Sequence, residues 1–198
     1  LLLNNDIEMV ERGWLREMAG LAAQDDVGAV GAKLLYPDRT VQHAGVLIGR
    51  GGVAGHMFHR LPGDAPGAGE RAIHAQDLSA VTAACLLTRT AVWRSLNGLE
   101  EGLAVAFNDT DYCLRVRQAG LRVVWTPHAT LIHHESVSRG ADEKPENRER
   151  LAREARFMMD RWGNILKDDP FFSPNLDMET AEGALAFPPR VPRPWEEG

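Results

Sequence analysis

The chain opens on three leucines and the polar triplet Asn4-Asn5-Asp6, after which Trp14, Leu15, Met18, Leu21 and Ala22 recur at helical spacing. This pattern predicts a buried strand, an acidic turn and a helix. The runs Val27 to Tyr36 and Thr40 to Ile48 are rich in Val, Leu and Ile and are parted by Pro37-Asp38, which predicts two strands joined by a turn. From Gly49 to Gly69 the chain holds seven glycines and two prolines. Such a composition sustains neither helix nor strand for long and predicts a long, mobile loop.

Leu78 to Thr88 is strand-like again, Ala91 to Leu96 predicts a short helix, and Asn97-Gly98 closes it. Asn108 and Asp109 stand where N-cap residues belong, ahead of Tyr112, Val116 and Ala119 on one helical face, with Gly120 as the stop. Leu121 to Trp125 and Ala129 to His133 predict two short strands separated by Thr126-Pro127. Leu151, Ala155, Met158, Met159 and Trp162 form an apolar stripe on a last helix whose other face mixes Arg and Glu, the pattern of a solvated face. Six prolines follow Gly163. The reading is one α/β domain over residues 1–167 and an extended tail or linker over 168–198.

Composition narrows the function classes. Twenty-two basic residues against 28 acidic ones leave a net charge of -6, which offers no general electrostatic reason to bind nucleic acid. Cys85 and Cys113 are the only cysteines, so no disulfide framework or paired-cysteine zinc motif is available, and a reducing cytoplasm fits best. No segment approaches the roughly 20 apolar residues needed to span a bilayer. The chain begins on Leu rather than Met, directly with an apolar strand, so an upstream portion is expected.

Three constellations carry candidate chemistry. The first is Asn4-Asn5-Asp6, where an apolar strand delivers a carboxylate to the sheet edge at which open α/β folds place ligands. Asp6 suits a hard cation such as Mn²⁺ or Mg²⁺, although such residues also serve as plain turn formers. The second is Asn108-Asp109-Thr110-Asp111 at a helix start, where the dipole favours ionised carboxylates. Asp109 is placed to act as a general base toward a hydroxyl; the plain alternative is that both aspartates only cap the helix. The third is His133-His134, of which strand alternation allows one to reach a site and leaves the other structural. His43, His56, His59, His74 and His128 show no metal spacing.

Taken in order, these segments resemble the second half of the glycosyltransferase family 2 enzymes with a GT-A fold, notably the rhamnosyltransferase-like members that build bacterial surface polysaccharides. The resemblance runs from Leu1 to about Leu176. It rests on Asn4-Asn5-Asp6, Thr40-Val41-Gln42-His43-Ala44-Gly45, Ala80-Val81-Thr82-Ala83-Ala84-Cys85, Asn97-Gly98-Leu99-Glu100-Glu101, Asn108-Asp109-Thr110-Asp111 with Leu114-Arg115, and Pro127-His128-Ala129 followed by His133. It implies a partial GT-A, Rossmann-like mixed sheet flanked by helices that lacks the amino-terminal nucleotide-binding strands. It further implies Mn²⁺ or Mg²⁺ on Asp6 and His133, Asp109 as the catalytic base, and Thr82, Ala83, Asn108 and Asp111 on the acceptor side. Ser138 and Arg139 are expected at the cofactor.

The activity so implied is inverting transfer from a nucleotide-diphosphate sugar to a saccharide or lipid-linked acceptor, with no nucleic acid partner, in the cytoplasm or peripherally at the inner face of the membrane. Three positions depart from the family pattern: Asn4 where Asp is usual, Asn108 for Glu, and Ala83 for Gly. The rival readings are a saccharide-binding module without catalysis and a metal-dependent hydrolase using Asp6, Asp109 and His133.

Overall fold

The computed structural model describes residues 1–134, 145–179 and 183–191. In chain order its elements are β1 (Leu2–Leu3), β2 (Ile7–Met9), α1 (Trp14–Ala22), β3 (Val27–Leu35), β4 (Val41–His43), β5 (Val46–Ile48), β6 (Ala54–His56), β7 (Gln76–Asp77), β8 (Cys85–Thr88), α2 (Thr90–Ser95), α3 (Asn108–Gln118), β9 (Arg122–His133) and α4 (Pro145–Trp162). They form a mixed sheet flanked by helices, a partial Rossmann-like α/β fold.

All nine residues of β3 are buried, as expected of a strand covered on both faces. β9 runs parallel along one edge of β3, from Val27 opposite Arg122 to Leu35 opposite Ile132. Along the other edge lie β8 and then β4, both antiparallel. β1 extends the sheet beyond β8, while β2 and β7 lie outside β9. Alternation along β3 sorts the core. Val30, Ala32 and Leu34 join Trp14, Met18 and Ala22 of α1, whereas Ala29 and Leu35 join Tyr112, Cys113 and Val116 of α3. Each layer is closed by the other face of the same strand.

The structure departs from the sequence reading in several places, each with a physical cause. The two strands expected around Thr126-Pro127 are one strand, β9. Ala32 pairs with Thr126 and Lys33 with Thr130, so Pro127, His128 and Ala129 bulge out of the ladder, where a proline's missing N–H costs nothing. The run Thr40 to Ile48 is broken at Ala44-Gly45 into β4 and β5, which belong to different sheets. Gly45 has φ +104°, and a Cβ there would lie 2.2 Å from Leu78 Cδ1. The glycine-rich stretch is not a plain loop, because β6 pairs with β5 as a hairpin and Val53, Met57 and Phe58 are buried beneath it. Its glycines make turns rather than disorder.

Of Leu78 to Thr88, only Cys85–Thr88 forms a strand. The preceding turn crosses β3 so closely that a Cβ on Gly31 would meet Val81 Cβ at 2.4 Å. Among the described residues past 167, several pack on the body. Asp169 is buried, and its carboxylate accepts from the Ile48 N–H at 2.9 Å and the Ser79 hydroxyl at 2.7 Å, with Phe172 packed beside it. Among the described residues no helix is long and apolar enough to cross a membrane.

The contact at Gly31 sets a stability test. Gly31→Ala drives a methyl into Val81 and should cost about 1–3 kcal/mol by overpacking, read as a lower urea midpoint. An unchanged midpoint would contradict the close packing of this turn on β3.

Candidate active site

Backbone pairing assembles the first wall. The chain leaving β1 is held to the turn before β8 by the Asn4 N–H, which donates to Ala84 O at 3.0 Å. On re-entering the sheet, Ile7 pairs with His133, and the His134 N–H donates to Asp6 O at 3.0 Å. The Asn4-Asn5-Asp6 turn is therefore fixed against the end of β9. His133 Nε2 lies 3.2 Å from Asn4 Nδ2 and 3.2 Å from Asp6 Oδ1, while its Nδ1 lies 2.6 Å from Gln42 Oε1.

This arrangement has a definite electrostatic sense. A proton on Nδ1, donated to Gln42 Oε1, turns the Nε2 lone pair of the neutral ring toward Asp6 Oδ1. The Asn4 amide N–H can donate to that lone pair, and a divalent cation would replace it as the partner that Nε2 and Asp6 Oδ1 share. Asp6 and His133 are the residues that would hold a divalent cation such as Mn²⁺ or Mg²⁺, one giving a carboxylate oxygen and the other an imidazole nitrogen. Among the described residues no group of three or more His, Cys, Asp or Glu converges for a metal, so water and substrate oxygens would complete the shell. His134 is the structural one of the two histidines: its Nε2 reaches Glu8 Oε2 at 2.8 Å on the surface.

The second wall is the start of α3. The cap is Phe107, in the left-handed region at φ 62°, rather than Asn108, which is already helical. Asp109 lies in the first turn, where the helix dipole favours a carboxylate. Its Oδ2 accepts from the Ala83 N–H at 3.0 Å and its Oδ1 from the Thr110 N–H at 2.7 Å. These bonds fix the group and leave lone pairs to spare.

Asn4, Thr82, Ala83, Asn108, Asp109 and His133 all line a single cleft of about 870 Å³, with Asp6 touching His133 just behind its wall. Asp111, expected on the acceptor side, is not part of that lining. It is wholly buried, with Oδ2 bound to Arg115 Nε at 2.8 Å and Oδ1 to Trp162 Nε1 at 3.0 Å, so it locks α3 to α4. Helical rotation separates it from Asp109. Ser138 and Arg139, expected at the cofactor, lie outside the described residues.

Several contributors were given no role by the sequence. Gln42 occupies the register shift where Leu34 pairs with His43 but Leu35 with Val41. His56 and Arg150 also line the cleft, one from the glycine-rich hairpin and one from the helix face read as merely solvated. On that same face Glu154 is only 3% exposed, and its carboxylate accepts from the Val105 N–H at 3.3 Å and the Ala106 N–H at 2.6 Å. It thereby shapes the loop leading into Phe107 and α3. The role of Glu154 depends on partners about 50 residues away in the chain, which local patterning does not encode.

No described family profile matches the chain. It is 48% identical over 188 residues to the uncharacterized protein y4gI of Sinorhizobium fredii, covering 94% of this chain and 21% of that protein. It is 42% identical over 194 residues to the O-antigen biosynthesis protein RfbC of Myxococcus xanthus, covering 93% of this chain and 14% of that protein. The chain thus spans about a fifth or less of the length of these curated relatives.

Glu154→Ala removes two acceptors from the loop and should lower stability by about 1–3 kcal/mol, seen in chemical denaturation. Unaltered stability would mean that the loop does not need this clamp.

Proposed function

We propose that the chain is the acceptor-side half of a metal-assisted, inverting sugar-nucleotide transferase that serves polysaccharide synthesis. One observation carries the reading: the Asp109 carboxylate and His133, the latter touching Asp6, line the same cleft from different elements of the fold. Likeness to a protein named for O-antigen biosynthesis supports the polysaccharide setting. The neighbouring Thr82, Ala83 and Asn108 give the wall beside Asp109 the polar character a saccharide requires.

In this reading the acceptor hydroxyl lies against Asp109, whose carboxylate takes its proton as the oxygen bonds to the anomeric carbon. The bond from that carbon to the diphosphate breaks on the opposite face, and its electron pair leaves with the diphosphate oxygen. The configuration at the anomeric carbon inverts. Asp6 and His133 would hold a divalent cation, which when bound would neutralise charge on the leaving diphosphate. The Ala83 N–H holds one oxygen of Asp109 and the Thr110 N–H the other, so the base enters the reaction already oriented.

The test is sugar transfer by the full-length protein from a panel of nucleotide-sugar donors with Mn²⁺ or Mg²⁺. Chelation and Asp6→Ala should each abolish metal-dependent transfer, and Asp109→Asn should lower kcat by about 10²- to 10⁴-fold. Transfer that survives Asp109→Asn, or free sugar released without any acceptor, would overturn the proposal in favour of a binding or hydrolytic role.

A further inference from the structure

One cation of the cleft has no task in the transfer reaction. Arg150 lines the cleft from α4, and among the described lining residues it is the only Arg or Lys. Its Nη1 donates to Asn147 Oδ1 at 3.0 Å, whereas its Nε is buried with no hydrogen-bond partner. Among the described residues no carboxylate forms an ion pair with it. Two carboxylates share the cleft lining, and neither matches this charge. Asp109 accepts from the Ala83 and Thr110 amides, and Glu146, one turn before Arg150, stays apart from it.

A guanidinium does not shed its proton, and burying part of one without an opposite charge costs stability. An anion that arrives with the substrate removes that cost. A neutral hydroxyl is served as well by an amide, whereas a planar oxyanion fits the guanidinium fork and makes the stronger, charge-assisted bonds.

The position of Arg150 says which substrate carries the anion. One turn further along α4, Glu154 clamps the Val105 and Ala106 amides, and that loop leads through Phe107 into Asn108 and Asp109. Arg150 thus shares a wall with Asp109, where the acceptor hydroxyl lies, while Asp6 and His133 come from β2 and the end of β9. Taking the transferase reading as its basis, we propose that Arg150 binds an oxyanion on the acceptor, a sugar carboxylate or a sugar phosphate, and so selects acidic acceptors.

The probes are methyl glucoside, methyl glucuronide and methyl glucoside 6-phosphate, titrated into the full-length protein by ligand-observed NMR at low and high salt. At least one acidic probe should bind roughly tenfold more tightly than the neutral one, with the gain shrinking at high salt. The acidic probe that gains more identifies the source as carboxylate or phosphate. Arg150→Gln should remove the gain and leave the neutral probe unchanged, and Arg150→Lys should keep part of it. Arg153→Gln, an equal loss of charge at an exposed position of α4, should keep all of it. Equal wild-type affinity for all three probes, or a gain that survives Arg150→Gln, overturns the proposal. So does Arg150→Gln weakening all three alike, the mark of a packing role. Weakened uridine diphosphate binding with Mg²⁺, the acidic probes being unaffected, overturns it by placing Arg150 on the donor. Each of these results leaves the transferase reading standing, whereas absence of transfer from every donor, with the acidic preference intact, overturns that reading alone.

Discussion

Everything in the site hangs on the parallel pairing of β3 with β9. β3 is buried along its whole length, and that pairing continues to Leu35 opposite Ile132, one residue short of His133. The position of His133 is therefore determined by a core strand rather than a loop, and β2 brings Asp6 to it by pairing from the other side. The bulge at Pro127, His128 and Ala129 adjusts the strand's phase before it arrives. Val124 and Leu131, seven residues apart in sequence, accordingly share the α1 face, as they would not in an unbroken alternating strand.

The polar side chains of the cleft are held by hydrogen bonds from their neighbours. Gln42 binds the back of His133, His43 binds the back of His56, and the Thr82 and Ala83 amides divide between His43 and Asp109. That two-residue turn links both walls, so a shift on one side is felt on the other. Gly31 makes the link possible because the turn can lie directly on β3 only where no Cβ intervenes. Glu154 plays a similar part for the loop before α3, at the cost of burying a carboxylate that two backbone N–H groups then satisfy.

Features written in short-range pattern were legible in the sequence. The α/β alternation, the acidic turn after β1 and the span of α3 with its Gly120 stop all follow from periodicity and end signals. Asp109 and His133 were singled out in the sequence and line one cleft, whereas Asp6, expected to face it, lies against His133 and is not part of that lining. What escaped reading depends on long-range partners or on backbone conformation. Asp111 has the same composition as Asp109, yet Trp162 and Arg115 claim it for packing. His56 lies in a glycine-rich stretch whose composition suggests a loop, and only the buried Met57 and Phe58 beneath it turn that stretch into a wall. The cap of α3 is Phe107 because the chain enters through a left-handed turn, a conformation that sequence rarely announces for an aromatic residue.

The central claim is that Asp6 and His133 jointly hold a divalent cation beside the cleft lined by Asp109. Pulsed electron paramagnetic resonance of Mn²⁺ bound to the full-length protein tests it most directly, because modulation from a coordinated imidazole nitrogen reports the ligand itself. The account predicts one imidazole nitrogen coupled to Mn²⁺, lost in His133→Ala and retained in His134→Ala. Mn²⁺ with only water and carboxylate couplings, or a nitrogen coupling that survives His133→Ala, would contradict it.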